Sequence, residues 1–188
     1  MGFIPKPVSN HNRNIEKLFD DKIDLLIVVG GGSLQPECYD RPHNDEIQPH
    51  RDITEEKLIR YCIKHGIPIV ATCRGMQYIN VLFGGRLHYH PKLKIERPRG
   101  VDHPVRLVKE DRIIQVNNYH QDVIYEGELA PCFEVLAVDE QNHTIEAYGS
   151  EEMKLLALQW HPERKFETAE AQDETRKIIV NFIQSHIR

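Results

Sequence analysis

The feature that most constrains the fold is a short apolar run that leads directly into a cysteine and then a helical pattern. Residues 67–71 are almost all apolar and predict a buried β-strand. The run stops at Cys73, turns at Gly75 and continues with helical periodicity over 77–83. On such a strand-to-helix turn the side chain stands above the sheet, near the backbone N–H groups of the helix start. The segment therefore predicts an α/β fold that presents a reactive thiol.

A second motif follows about ninety residues further along the chain, at 158–163. It contains His161, and Glu163 follows two residues later. A thiol, an imidazole and an orienting carboxylate are the components of a thiol-dependent acyl-transfer site. We therefore predict Cys73 as nucleophile, His161 as acid and base, and Glu163 as the group that orients the imidazole. The thiolate is the reactive form, so we expect His161 and the helix start to lower the pKa of Cys73.

The rest of the chain predicts one domain, residues 1–188, with helices around a central sheet. A β-branched run at 25–29 and an amphipathic helix at 52–65 precede the cysteine segment, and this alternation is typical of a doubly wound, mostly parallel sheet. Between 105 and 160 short alternating runs predict further strands, some of them in a small antiparallel element. A closing helix is predicted over 173–187.

Composition narrows the classes of protein that the chain can belong to. The net charge is −5, which does not favour a nucleic-acid surface, and no apolar run reaches the ~20 residues of a membrane span. No signal peptide is evident at the start, and the four cysteines lack Cys-x-x-Cys spacing, so we expect a cytoplasmic protein without disulfides. His88 and His90 are not accompanied by a cluster of acidic or cysteine ligands, so no metal and no cofactor are predicted.

Together these motifs resemble the class I glutamine amidotransferases, and within them the γ-glutamyl hydrolase branch known as peptidase family C26. The matching segments occur in the order expected for the family and span most of the chain: 24–32, 51–52, 73–77, 84–85, 116–121 and 159–163. The Cys-Arg-Gly-Met-Gln form of the cysteine motif points to the hydrolase branch. The resemblance implies a flavodoxin-like fold and a small-molecule γ-glutamyl substrate, and it leaves a homodimer open.

The resemblance also assigns roles around the cysteine. From the residues alone, the glycine run after the first strand is either a tight turn or a source of backbone N–H donors. The resemblance favours the second interpretation, with Gly31, Gly32 and the N–H of Arg74 forming an oxyanion hole. It further implies that the glutamyl group is contacted by Gln77, Asn118, Tyr119 and His120. The side chain of Arg74 is left unassigned, and Arg51-Asp52 is expected to anchor the following helix.

One departure from the family pattern concerns the beginning of the chain. Family members usually start with a parallel strand and a helix before a segment similar to residues 2–5. The resemblance therefore leads us to expect that this N-terminal strand–helix unit is missing and that an unpaired strand edge is exposed.

Three functions are compatible with these motifs. The first is a hydrolase that cleaves a γ-glutamyl amide through a thioester and releases glutamate and an amine. The second is a glutaminase subunit that supplies ammonia to a synthetase partner, and the third is an inactive binding protein on the same fold. For the hydrolase, the amine could be polyamine-derived or a phosphorylated or nucleotide amidate. The basic stretch 88–106 either binds such a phosphate or is a solvated loop; its cations include Lys92, Lys94, Arg97 and Arg99.

Overall fold

A seven-stranded mixed sheet forms the centre of the fold. The structure is a computed structural model that describes residues 2–11, 15–20, 22–39, 47–90 and 98–187, without the side chain of Glu16. The strands are β1 Leu26–Val28, β2 Ile69–Thr72, β3 His88–Tyr89, β4 Asp102–Leu107, β5 Arg112–Asn117, β6 Asp122–Val123, β7 Glu134–Asp139, β8 Thr144–Ser150 and β9 Leu155–Leu158. The α-helices are α1 Pro49–Lys64, α2 Arg74–Leu82 and α3 Ala169–His186, and two 3₁₀ turns lie at Ile15–Asp20 and Pro36–Cys38.

The sheet has a parallel part and an antiparallel part. Its strand order is β1-β2-β9-β8-β7-β4-β5, and β1, β2 and β9 run parallel to one another. From β9 onwards each neighbouring pair is antiparallel. Strands β3 and β6 form a separate antiparallel pair. The α/β architecture with a parallel core and an extra antiparallel element is confirmed, and most of the antiparallel strands extend the same sheet.

Two apolar cores lie on opposite faces of the sheet. In β9, Leu155 and Ala157 belong to the core that packs under α1 and α2, whereas Leu156 and Leu158 belong to the core under α3. Alternate residues of a strand point to opposite faces, so a strand covered on both faces must be apolar throughout. This explains why β2 and β9 are continuous apolar runs and lie inside the sheet.

The helices begin earlier than their periodicity suggests. Helix α1 starts at Pro49, three residues before the predicted start, because a proline at the first helical position has the right φ and needs no N–H partner. Helix α2 starts at Arg74, immediately after the cysteine. Helix α3 starts at Ala169, where the Thr168 side chain accepts a hydrogen bond from the N–H of Ala171 at 3.1 Å.

Strand β1 lies at one edge of the sheet formed by the described residues. Ile27 and Val29 are 57% and 54% exposed there, beside an apolar groove that Pro162, Ile179 and Ile183 also line. None of the helices in the described part of the chain combines the length and apolar character needed to cross a bilayer.

Candidate active site

Three neighbouring parallel strands bring the predicted catalytic segments to one edge of the sheet. Val28 of β1 pairs with Ala71 of β2, which in turn pairs with Ala157 of β9. The glycine run, Cys73 and His161 follow the carboxyl ends of these strands in that order. Ligands of open α/β sheets bind at the carboxyl ends of parallel strands.

Cys73 occupies a strained turn between β2 and α2. Its φ is +50°, a left-handed conformation that is unusual for a residue with a side chain. The turn is held from both sides, since the N–H of Cys73 donates to the Leu158 carbonyl at 2.7 Å and its carbonyl accepts from the N–H of Gln77 at 3.1 Å. A Cβ at position 75 would collide with the carbonyl of Val28, so the turn requires Gly75. This is the geometry of a nucleophile elbow.

His161 is buried and held by two contacts. Its Nδ1 lies 2.6 Å from Oε1 of Glu163, as the spacing of the motif predicted. The Asn117 side chain clamps its backbone: Oδ1 accepts from the His161 N–H and Nδ2 donates to the His161 carbonyl, both at 2.9 Å. The carboxylate selects the tautomer in which Nδ1 carries the proton, which leaves Nε2 as the base.

Gly30 lies beside both the imidazole of His161 and the side chain of Cys73. A Cβ on Gly30 would lie 2.5 Å from Cε1 and 3.3 Å from Nε2 of His161, and 3.5 Å from Cβ of Cys73. The Nε2 edge of the ring and the cysteine side chain therefore flank one point above the glycine. A side chain at position 30 would occupy this point and displace the imidazole, so the site requires a glycine there.

Burial leaves both reacting groups neutral. It raises the pKa of Cys73 to about 12, against a smaller lowering by the N–H of Arg74. It also lowers the pKa of His161, and the hydrogen bond and charge of Glu163 offset this only in part. The expected lowering of the Cys73 pKa is therefore not found, because desolvation outweighs the helix start.

The cysteine opens into a polar cavity of about 320 Å³. Five predicted residues line it with Cys73, namely Gly31, Gly32, Gln77, Tyr119 and His120. Asn118 lies outside this lining: it is buried, and its Oδ1 accepts from the N–H of His120 at 3.4 Å. Arg74 is behind the cysteine, with a fully buried side chain paired with Asp52 and Glu55.

Gln77 holds the far wall of the cavity. Its Nε2 donates to the carbonyl of Asp122 at 3.0 Å and to Oε1 of Gln159 at 3.3 Å. The side-chain amide thus points toward the cavity from one turn after Cys73, as predicted, and it ties α2 to the segment that contains His120.

Several residues at the site were not predicted from the sequence. Asp122, Ser33 and Gln121 line the cavity, and Tyr39 donates its hydroxyl hydrogen to Oδ2 of Asp122 at 2.8 Å. These polar residues lie in loops or at strand ends without periodicity. They are recognised only because the fold brings them to the cavity, and their spacing in the sequence gives no sign of it.

A buried carboxylate beneath the cavity was also missed. Glu146 is 0% exposed, and its two oxygens lie 3.7 Å from Nε2 of His103 and 3.7 Å from Nε2 of His120. In the alternating sequence of β8 a glutamate between Ile145 and Ala147 suggests the solvent side of a strand. Strand β8 is covered on both faces, so the alternation of apolar and polar residues does not show which side chains of the strand are exposed.

The basic stretch 88–106 is only partly described. Lys92, Lys94 and Arg97 lie outside the described residues, while Arg99 reaches the cavity. Nδ1 of His90 lies 2.7 Å from the hydroxyl of Tyr125. Within the described ranges, no group of three His, Cys, Asp or Glu side chains is arranged to hold a metal ion.

Comparison with known proteins gives the same family. The model of the peptidase C26 family matches residues 4–163. Protein NtpR of Enterococcus hirae is 32% identical over 165 residues, which are 76% of this chain and 68% of NtpR. The γ-glutamyl-γ-aminobutyrate hydrolase of Escherichia coli O157:H7 is 36% identical over 87 residues, 44% of this chain and 32% of that enzyme.

Solved structures show the same fold. A candidate GMP synthase component from Thermoplasma acidophilum aligns with a TM-score of 0.64 and 21% identity, over 96% of this chain and 81% of that chain. The family match and the relatives make the chain an amide-hydrolysing enzyme of the class I glutamine amidotransferase-like superfamily. Since one family model spans most of the chain and NtpR exceeds 30% identity over two thirds of its own length, the chain belongs to the peptidase C26 family.

Proposed function

We propose that the chain is a cysteine-dependent hydrolase of γ-glutamyl amides, with Cys73, His161 and Glu163 as its catalytic residues. The observation that carries the proposal is that His161 and Cys73 flank Gly30, where a Cβ would lie 3.3 Å from Nε2 of His161 and 3.5 Å from Cβ of Cys73, with Glu163 on the opposite nitrogen of the ring. A nucleophile, a base and an orienting group in this relation are what thioester chemistry requires.

In the proposed reaction, the sulfur of Cys73 attacks the δ-carbonyl carbon of the glutamyl group while Nε2 of His161 takes the thiol proton. The carbonyl electrons move to the oxygen, which accepts hydrogen bonds from the N–H groups of Gly31, Gly32 and Arg74. The C–N bond then breaks, and His161 returns the proton to the departing amine. Water, deprotonated by His161, attacks the thioester, so that glutamate leaves and the thiol is restored.

The cavity supports a substrate with an amino-acid head group. Asp122 and Arg99 place an anion and a cation in the same lining as the thiol, and Gln77 adds an amide. An α-ammonium and an α-carboxylate are complementary to such a pair. This favours a small γ-glutamyl substrate, in keeping with what the name of the Escherichia coli relative says of that enzyme.

The test is covalent labelling by 6-diazo-5-oxo-norleucine, followed by intact-mass spectrometry of wild type, Cys73→Ala and Cys132→Ser. Cys132 is exposed and is not among the residues that line the cavity, so its variant is the matched control. We expect one adduct in the wild type and in Cys132→Ser and none in Cys73→Ala, whose hydrolysis rate falls by at least about 10⁴-fold.

A panel of substrates separates the remaining functions. The proposal expects γ-glutamyl-γ-aminobutyrate and γ-glutamyl-p-nitroanilide to be hydrolysed faster than glutamine. Efficient hydrolysis of glutamine alone would instead identify a glutaminase subunit, to be tested by activation with a synthetase. A folded wild-type chain that forms no adduct and cleaves no substrate would be a binding protein.

A further inference from the structure

A cluster of four charged residues, three buried and one largely buried, lies directly behind the nucleophile elbow. We call Arg51, Asp52, Glu55 and Arg74 the arginine–carboxylate cluster. Arg51, Asp52 and Arg74 are buried, and the Glu55 side chain is 12% exposed. The proposed reaction uses none of these side chains. Taking four charges out of water is costly, so their arrangement calls for an explanation.

Glu55 is the bridge of this cluster. Its Oε1 accepts from Nε of Arg51 at 2.6 Å, and its Oε2 accepts from Nη1 of Arg74 at 2.7 Å. Asp52 accepts from the second terminal nitrogen of Arg74. One carboxylate of α1 therefore joins the residue that follows the nucleophile to an arginine on the first turn of the helix.

Arg51 continues the connection to the glycine run. Its Nη1 donates to the carbonyl of Gly30 at 3.1 Å, and its Nη2 donates to the carbonyl of Val29. In a trans peptide the N–H of the next residue points opposite to the carbonyl. With the Gly30 carbonyl turned to Arg51, the N–H of Gly31 is aimed away from the cluster.

The glycine run also fits tightly against the cluster. A Cβ on Gly31 would collide with the guanidinium of Arg51 and lie 3.1 Å from Cδ of Arg74. On the other side of the same run, a Cβ on Gly30 would meet His161 and Cys73, and Gly31 lines the cavity. The run is thus enclosed between the charged cluster and the reacting groups.

We propose that Glu55 is a positioning residue, which fixes Arg51 so that the Gly31 N–H is aimed at the developing oxyanion. The catalytic consequence rests on the proposed function, because an oxyanion forms only in attack on a carbonyl. The same carboxylate fixes the position of the glycine run relative to the nucleophile elbow, because it binds both Arg51 and Arg74. If the Gly31 N–H points in another direction, it stabilises the oxyanion of the transition state less but leaves substrate binding unchanged. We therefore expect kcat to fall and KM to stay the same.

The test compares Glu55→Gln with Glu56→Gln. The control residue is the next one along the same helix, and its carboxylate pairs with Arg60 on the exposed face at 2.8 Å. With γ-glutamyl-p-nitroanilide we expect kcat of Glu55→Gln to fall by about 10- to 100-fold and KM to change less than about threefold. Glu56→Gln is expected to match the wild type in both constants.

Alkylation of Cys73 by iodoacetamide supplies a readout that a general loss of structure would move. Displacement of iodide forms no oxyanion, so Glu55→Gln is expected to retain a rate within about twofold of the wild type. Arg51→Lys keeps the positive charge but has no planar fork to span both carbonyls, and we expect it to reproduce the kcat loss. A wild-type kcat in both variants, or equal losses in hydrolysis and alkylation, would overturn the proposal.

Hydrogen–deuterium exchange separates this inference from the proposed function. Residues 26–35 of Glu55→Gln are expected to exchange faster than in Glu56→Gln, whether or not a substrate has been found. If the wild type cleaves no γ-glutamyl amide but this difference is present, the proposed function fails and the hold of the cluster on the loop stands. If exchange is equal in the two variants, the positioning role is wrong even for an active enzyme.

Discussion

Cys73 and Arg74 are adjacent in the chain, yet they face opposite surroundings. In front of the elbow, burial keeps the Cys73 thiol and the His161 imidazole neutral, and they face an open polar cavity. Behind the elbow, Arg74 is 0% exposed and its guanidinium is paired with two carboxylates. The two groups in front of the elbow are therefore neutral, whereas the groups behind it are charged and held in fixed ion pairs.

The same short motif therefore supplies a neutral thiol on one side and ion pairs that hold the turn on the other. Moving a proton between neutral groups creates charge only when the substrate requires it, so neither the thiol nor the imidazole is a buried ion at rest. A strained turn such as Cys73 persists only where its surroundings hold it, and the charged back supplies fixed, directional contacts for that purpose. We therefore expect loss of the Arg74 cation behind the elbow to act mainly on stability, and changes among the groups in front of it to act mainly on rate.

The largest expected effect on stability comes from removing the cation behind the elbow. Arg74→Met leaves Asp52 and Glu55 facing an apolar chain, and we expect the free energy of unfolding to fall by about 3–5 kcal/mol. Urea denaturation measures this loss. Arg60→Ala, which breaks an exposed pair with Glu56, is expected to cost about 0.5 kcal/mol or less. Equal losses in the two variants would mean that the buried cation behind the elbow stabilises the fold no more than an exposed one.

In front of the elbow, Gly30→Ala is expected to reduce rate with little loss of stability. The new Cβ would lie 2.5 Å from Cε1 of His161, so the ring must shift away from Cys73. We expect kcat to fall by about 100-fold. Gly30 does not have a positive φ, so the backbone accepts alanine. Gly2→Ala has open space around its Cβ and serves as the control; unchanged kinetics in Gly30→Ala would contradict the close approach.

Glu163→Gln sharpens the comparison because this carboxylate is 58% exposed and contributes little to stability. Loss of its charge removes support for the imidazolium that forms during the reaction, and we expect kcat to fall about 10- to 100-fold. Glu163 raises the pKa of His161, so its removal moves the acid limb of kcat/KM to lower pH. Glu167→Gln is the control for pH–rate profiles, and an upward shift of the limb would be the contrary result.

The smallest expected effect is a shift in the pH dependence of kcat/KM of the wild type, on its acidic side. Burial lowers the pKa of His161 below its usual 6.5, and the neutral form is the base that the reaction needs. Activity therefore grows as pH rises through the lowered pKa, and we expect the midpoint of kcat/KM below pH 6.5. A midpoint above 6.5 would mean that the imidazole is charged in the resting site.

The elements that the sequence predicted well are those whose signal is local. The apolar runs of β2 and β9, the glycine at position 75 and the spacing of His161 and Glu163 each follow from a turn or a strand period. Glu146 and Asn117 were missed because each acts on residues distant in sequence, and nothing in the neighbouring residues marks either as buried and paired. The expectation that the pKa of Cys73 falls was wrong for the same reason. The burial that raises this pKa depends on the whole fold and is not visible in the neighbouring residues.

The sequence by itself determined the α/β alternation, the strand–turn–helix unit around Cys73 and the residue types of the candidate site, because these depend on contacts a few residues apart. Packing of the whole chain, by contrast, sets Gly30 beside both the imidazole of His161 and the side chain of Cys73. It likewise decided that Arg51 of α1 reaches the carbonyls after β1. Such contacts join segments 20 residues or more apart, and their geometry is set by packing against the sheet.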